Sequence, residues 1–229
     1  MKRITPRIAL SLGLVASVAA CSSHRAPAPE SVSCCASSFT VPSNNQPTSY
    51  FSVGTFQPDE VREKGLVNWY SRSLQEMAEP SFQAIVAANL ESYRFLWLRS
   101  FHPGIAVRIW KCSPGFCLTA KQLDSVDKYV DGKFVPSAKL SVNNSRSLSG
   151  DEWDRFLSLL DRAYFWTMPT VDGGPTANDG ASWLLEGTRG SKYHLVDRQS
   201  PQTGDYRDAC LYLLKLSELK VDASKGELY

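Results

Sequence analysis

Several things are scarce or missing in these 229 residues, and each absence narrows the reading. Histidine occurs three times, at His24, His102 and His194. No His-Glu-x-x-His, Gly-x-Ser-x-Gly or phosphate-binding glycine loop is present, so zincin, serine-hydrolase and nucleotide-binding signatures are absent. Internal repeats are missing, which argues against a solenoid or propeller. Beyond the first 20 residues no apolar run is long enough to cross a bilayer as a helix. Long basic runs are missing too. The formal charge is +2, and three of the cations, Lys2, Arg3 and Arg7, stand in a leading segment that holds no acid through residue 20. Without that segment the remainder carries −1, a near-neutral body that gives no footprint for nucleic acid.

The leading segment itself is informative. A basic start is followed by an apolar run from Ile8 to Ala20, too short to span and laid out like a secretory signal. It closes on Ser17-Val18-Ala19-Ala20-Cys21, which resembles the lipobox of bacterial lipoproteins. The resemblance implies that Cys21 is acylated and becomes the first mature residue, and Ser22 after it favours the outer membrane. The competing reading is a small-residue cleavage site with a chance cysteine. Acyl chains contribute about 0.8 kcal/mol per buried methylene, so several of them hold a protein firmly on a membrane. The expected location is therefore the bacterial envelope, lipid-anchored and facing the periplasm.

Four regions follow: a signal peptide at 1–20, lipidated Cys21 with a flexible tether to 33, an N-terminal extension at 34–56, and a globular domain at 57–229. The tether is small, polar and proline-rich and cannot bury enough apolar surface to offset its ordering entropy. In the domain, Leu66, Trp69, Tyr70, Ser73 and Met77 recur at helical spacing, and Pro80 ends that run. Ser81 caps a second helix carrying Phe82, Ile85, Val86 and Leu90. Strands are expected at Tyr93–Arg99, Ile105–Trp110, Leu118–Leu123 and Lys139–Ser147, with a hairpin at Asp131-Gly132. Ser149 and Glu152 form a capping box for a helix whose Trp153, Phe156, Leu157, Leu160 and Tyr164 make one apolar stripe. A final helix runs over about 205–217. Hairpin-type turns dominate, which predicts an α+β single domain: a mainly antiparallel sheet with helices packed on one face.

Six cysteines leave five after Cys21. Cys112 and Cys117 bracket a tight Ser-Pro-Gly-Phe turn and are the expected disulfide in an oxidising compartment. Zinc is the competing reading of that pair, and with so few histidines it is the weaker one; no metal or other cofactor is expected. Cys210 reads as a buried thiol or as a partner for Cys34 or Cys35.

Candidate chemistry gathers in Asn178–Pro201. With Thr188-Arg189-Gly190 as a three-residue loop, Trp183, Leu185, Tyr193 and Leu195 share one face and Glu186, Lys192, His194 and Arg198 the other. Glu186 and His194 then form a candidate acid–base pair with Asp179 at the strand entrance, and ordinary cross-strand pairing is the bland alternative. The pattern Tyr93-Arg94-Phe95-Leu96-Trp97-Leu98-Arg99-Ser100-Phe101-His102, with Asp179-Gly180-Ala181-x-Trp183-x-x-Glu186-Gly187 and Tyr193-His194-x-Val196-x-Arg198-x-Ser200-Pro201, resembles a group of bacterial hypothetical proteins that brings no catalytic residues. Cys34-Cys35-Ala36-Ser37 is similar to the start of some periplasmic maltose-operon accessory lipoproteins, a match too short to imply a function. The reading leans away from an enzyme, toward a tethered module that binds an envelope protein or polymer. The alternative is a small envelope hydrolase using Glu186 and His194.

Overall fold

The structure, a computed structural model, describes residues 49–52, 54–56, 60–126, 128–130, 133–135, 138–172, 179–221 and 228. The signal segment, Cys21, the tether, Cys34, Cys35 and the Asp131-Gly132 turn lie outside the described residues. Two helices, α1 (Glu60–Glu76) and α2 (Phe82–Ala87), lead into three strands, β1 (Ser92–Arg99), β2 (Ile105–Cys112) and β3 (Gly115–Leu123). A short hairpin, β4 (Lys128–Val130) with β5 (Lys133–Val135), precedes β6 (Leu140–Leu148) and helix α3 (Gly150–Arg162). After a 3-10 turn at Phe165–Thr167 come β7 (Ala181–Arg189), β8 (Lys192–Gln199) and helix α4 (Asp205–Leu216).

Six strands form one sheet in the order β6-β3-β2-β1-β7-β8, and every neighbouring pair is antiparallel. The fold is the expected α+β single domain. The helices, however, do not share one face. Alternation along each strand separates two cores. Tyr93, Phe95, Trp97, Ile105, Val107, Ile109, Trp183 and Leu185 pack against α3 and α4. Leu96, Leu98, Ala106, Leu184 and Leu195 pack against Val67, Tyr70, Leu74 and Met77 of α1. A strand apolar on both pleat faces must be covered twice, and β1 is buried along its whole length.

The boundary expected at residue 57 is crossed as well. Tyr50, Phe51 and Phe56 are buried in the α1 core, where Phe51, Phe56 and Tyr70 meet edge to face. Glu63 of α1 fixes that segment by accepting from the backbone N–H of Thr55 at 2.8 Å and of Phe56 at 3.0 Å. The capping box of α3 is formed: Ser149 Oγ accepts from Glu152 N at 3.1 Å, and Glu152 Oε2 accepts from Ser149 N at 2.9 Å.

The β7–β8 hairpin differs from its expected register. Arg189 pairs with Lys192, so the turn is the two residues Gly190-Ser191, with positive φ at Gly190 alone. That suits a type II′ turn, whose first central residue must be left-handed. Gly187 therefore faces His194 rather than Ser191, an odd shift that moves every β8 side chain to the other face.

Candidate functional site

On the α1 side of the sheet a row of charged residues crosses four strands. Arg94 on β1 stands directly opposite Glu186 on β7 and Arg108 on β2. Lys121 on β3 lies on the same face one pleat further along. Glu79 arrives from the α1–α2 connection, which turns at Ala78 with φ +49°. All five are buried. Glu79 accepts from Arg108 Nε at 2.8 Å and from Lys121 Nζ at 3.0 Å. Arg94 donates through Nε to Glu186 Oε2 at 2.9 Å, through Nη2 to the same oxygen, and through Nη1 to the Pro80 carbonyl at 2.7 Å. The Tyr193 hydroxyl donates to Glu186 Oε1 at 2.9 Å.

Three cations thus surround two carboxylates, and the carboxylates respond in opposite senses. Burial pushes the Glu79 carboxyl up, but Arg108, Lys121 and Arg94 outweigh it and hold the group at about 2. Burial also pushes Glu186 up; there Arg94 opposes it, and the net shift is upward. The difference lies in the number of close cations around each group.

Beside this cluster lies a recess of about 230 Å³ lined by Tyr50, Phe51, Phe82, Val86 and Tyr193, with Ser52, Thr55 and Gln83 as its polar members. The Tyr193 side of the recess shares its ring with the ionic row: the residue is 41% exposed while its hydroxyl holds Glu186. Phe82 packs 6.0 Å from the Tyr193 ring, and the Arg94 guanidinium sits 4.7 Å from the Phe82 ring centre. The Tyr50 hydroxyl donates to the Glu79 carbonyl at 2.6 Å. Tyr193 and Phe82 are therefore held against buried charges, and Tyr50 against the backbone of the connection that carries Glu79. A larger depression, about 640 Å³, lies between Asn89–Glu91 and Lys111–Gly115, wide open to solvent at the turn end of the sheet.

The residues singled out in sequence are placed differently from expectation. Glu186 and His194 are on opposite faces of the sheet, so they do not form an acid–base pair. Glu186 belongs to the buried ionic row. The His194 ring lies 5.1 Å from that of Phe165, edge to face, and its Nε2 is 3.0 Å from the Met168 carbonyl oxygen. Burial lowers its pKa. Arg198 donates to the carbonyls of Thr170 at 3.1 Å and Pro169 at 2.9 Å, so it fastens the 168–171 segment along β8. Asp179 is exposed at the entrance to β7. Cys112 and Cys117 do come together, with sulfurs 3.2 Å apart, but diagonally, because Cys117 faces Trp110 across the strands. Cys210 is buried among α4 core residues, and burial raises its thiol pKa. Among the described residues no three His, Cys, Asp or Glu side chains gather to hold a metal.

Four members of the ionic row, Arg94, Arg108, Lys121 and Glu79, went unread in sequence. Their signal is one cation within each of three consecutive strands, Arg94 and Arg108 between apolar neighbours on both sides and Lys121 directly after Ala120. Asp197 is also new. It is buried, accepts from the Tyr70 hydroxyl at 2.8 Å, and keeps its other oxygen without a hydrogen-bond partner. Burial raises its pKa to about 6.

Compared with known families, curated proteins and solved structures, the chain matches none.

Proposed function

We propose that this chain is a lipid-anchored binding module of the bacterial envelope, non-enzymatic, that captures a partner protein by taking one apolar or aromatic side chain into the recess between Phe82 and Tyr193. The anchor follows from the lipobox-like Ser17–Cys21 segment. The observation that carries the binding mode is the aromatic recess itself. At about 230 Å³ it is smaller than the roughly 300–1,000 Å³ of sites for drug-sized ligands and suits a single side chain. Aromatic side chains seated in such fixed pockets dominate protein–protein affinity. Between protein and polymer, the expected ligand classes, the apolar lining favours protein. The alternative hydrolase has lost its chemical basis, since Glu186 and His194 are separated by the sheet.

The test selects peptides from a random library on the purified full chain and repeats binding with Val86→Trp, which fills the recess. Selected peptides should share an aromatic or leucine anchor and bind the variant at least tenfold more weakly, with its unfolding midpoint unchanged. Peptides without a common apolar residue, or equal binding to the variant, would sink the reading. Labelled fatty acid should enter the chain in bacterial cells and fail to enter Cys21→Ser.

A further inference from the structure

The Cys112–Cys117 disulfide has little to do as a staple. A disulfide stabilises chiefly by closing a loop of the unfolded chain, and the gain shrinks as the loop shortens. Only Ser113, Pro114, Gly115 and Phe116 separate these two cysteines. In the folded chain the same loop is already closed, because β2 and β3 pair at eight positions from Ile105 to Cys112. Both strands are interior to the sheet, held by β1 on one side and β6 on the other. The two sulfurs also stand in unlike surroundings. Cys117 is fully buried and packs with Trp110. Cys112 is half-buried at the end of β2 and lines the open depression of about 640 Å³, which Cys117 does not. A thiolate arriving from solvent therefore reaches one sulfur and not the other, and exchange depends on which sulfur is accessible.

We propose that Cys112–Cys117 is an exchangeable disulfide that oxidises a dithiol segment of a partner polypeptide seated in this depression. Its width, from Asn89–Glu91 across to Lys111–Gly115, admits an extended polypeptide and not only a small thiol. It shares no lining residue with the aromatic recess, so the two sites stand or fall separately. In the first step a partner thiolate attacks Cys112 Sγ, the Cys112–Cys117 bond breaks, and its electron pair leaves on Cys117 Sγ. In the second, the partner's other thiolate attacks the partner sulfur of the mixed disulfide, forms the partner's own disulfide and releases Cys112. Two electrons pass from the dithiol to this chain, and the two protons lost by the partner's thiols are balanced by those taken up on Cys112 and Cys117. Burial of Cys117 gives the sequence its direction: only Cys112 can carry the mixed disulfide.

The experiment mixes the oxidised full chain in detergent, without oxygen, with an equal amount of a synthetic peptide carrying two reduced cysteines. Mass spectrometry should find the peptide oxidised and Cys112 and Cys117 reduced, at least tenfold faster than oxidised glutathione at the same concentration achieves. The double variant Cys112→Ala with Cys117→Ala should lose this transfer. Offered the peptide as a disulfide, Cys117→Ala should capture it on Cys112, located by peptide mapping, at least tenfold faster than Cys112→Ala captures it on Cys117. A peptide that wild type leaves reduced, or oxidises no faster than glutathione does, overturns the proposal, and that arm depends on no variant folding. Transfer that survives in the double variant overturns it, and so does equal capture at the two cysteines.

Discussion

Arg94 and Glu186 face each other across β1 and β7, 92 residues apart in the chain and both fully buried, joined by two hydrogen bonds to one carboxylate oxygen. Removing one member of such a pair leaves an uncompensated charge in the interior. Glu186→Ala should therefore cost about 3–5 kcal/mol. The double variant Arg94→Met with Glu186→Leu should cost much less, because both charges leave together. Urea unfolding of wild type, both single variants and the double variant reads the coupling.

The pH profile of stability should slope in two directions. Glu79 has a folded pKa of about 2, below its ordinary 4.5, so its contribution is complete above about pH 4.5 and is lost as pH falls toward 2. Asp197 has a folded pKa of about 6, above its ordinary 3.8, so the folded state holds a proton that the unfolded state has released. Stability then falls as pH rises from about 4 to 6, by roughly 3 kcal/mol in all. Together the two groups place the maximum near pH 4–5. Asp197→Asn should add on the order of 1–3 kcal/mol at pH 7.5 and little at pH 4. Thermal melts across that range decide it; an unchanged slope above pH 4 in the variant would refute the assignment to Asp197.

Gly187 is needed for room. A Cβ there would come 2.8 Å from Tyr93 Cδ1 and 2.9 Å from Phe165 Cε1, two rings locked in the α3 core. Gly187→Ala should destabilise by about 1–3 kcal/mol through overpacking, measurable as a lower denaturant midpoint at unchanged slope.

Tyr193 has two separable jobs. Tyr193→Phe deletes the hydroxyl that holds Glu186 and should cost about 1–3 kcal/mol of stability, while the ring wall remains. Binding of aromatic-anchored peptides should survive in Tyr193→Phe and fall at least tenfold in Tyr193→Ala. Equal affinity in both variants would remove the ring from the site.

The periodic helices, the hairpins and the strand-rich middle were legible because each depends on residues near in sequence. Trp153, Phe156 and Leu160 announce a helix face wherever the rest of the chain goes. The β7–β8 register was not legible, and its failure has a definite cause. Grouping Trp183, Leu185, Tyr193 and Leu195 on one face assumes a sheet with one dry side. Both sides are dry here, so apolar segregation carries no register information, and Gly190 with Ser191 set the pairing instead. The partner of Glu186 was hidden for a different reason. Its counter-charge comes from a strand 92 residues earlier, and nothing local marks that strand as its neighbour.

The β1–β7 pairing also dictates an order of events as the chain is made. Helices α1 and α2 and strands β1 to β6 all emerge before Ala181, yet β1 is hydrogen-bonded on one side by β7 alone. Until β7 arrives, the central strand is a raw edge, and its α3 face lacks the covering helix α4. Pairings between distant segments are slow to form, and the waiting state is aggregation-prone. A chain that ends or stalls before residue 181 thus holds four of the six strands with β1 as a bare edge, a natural client for holding chaperones and proteases.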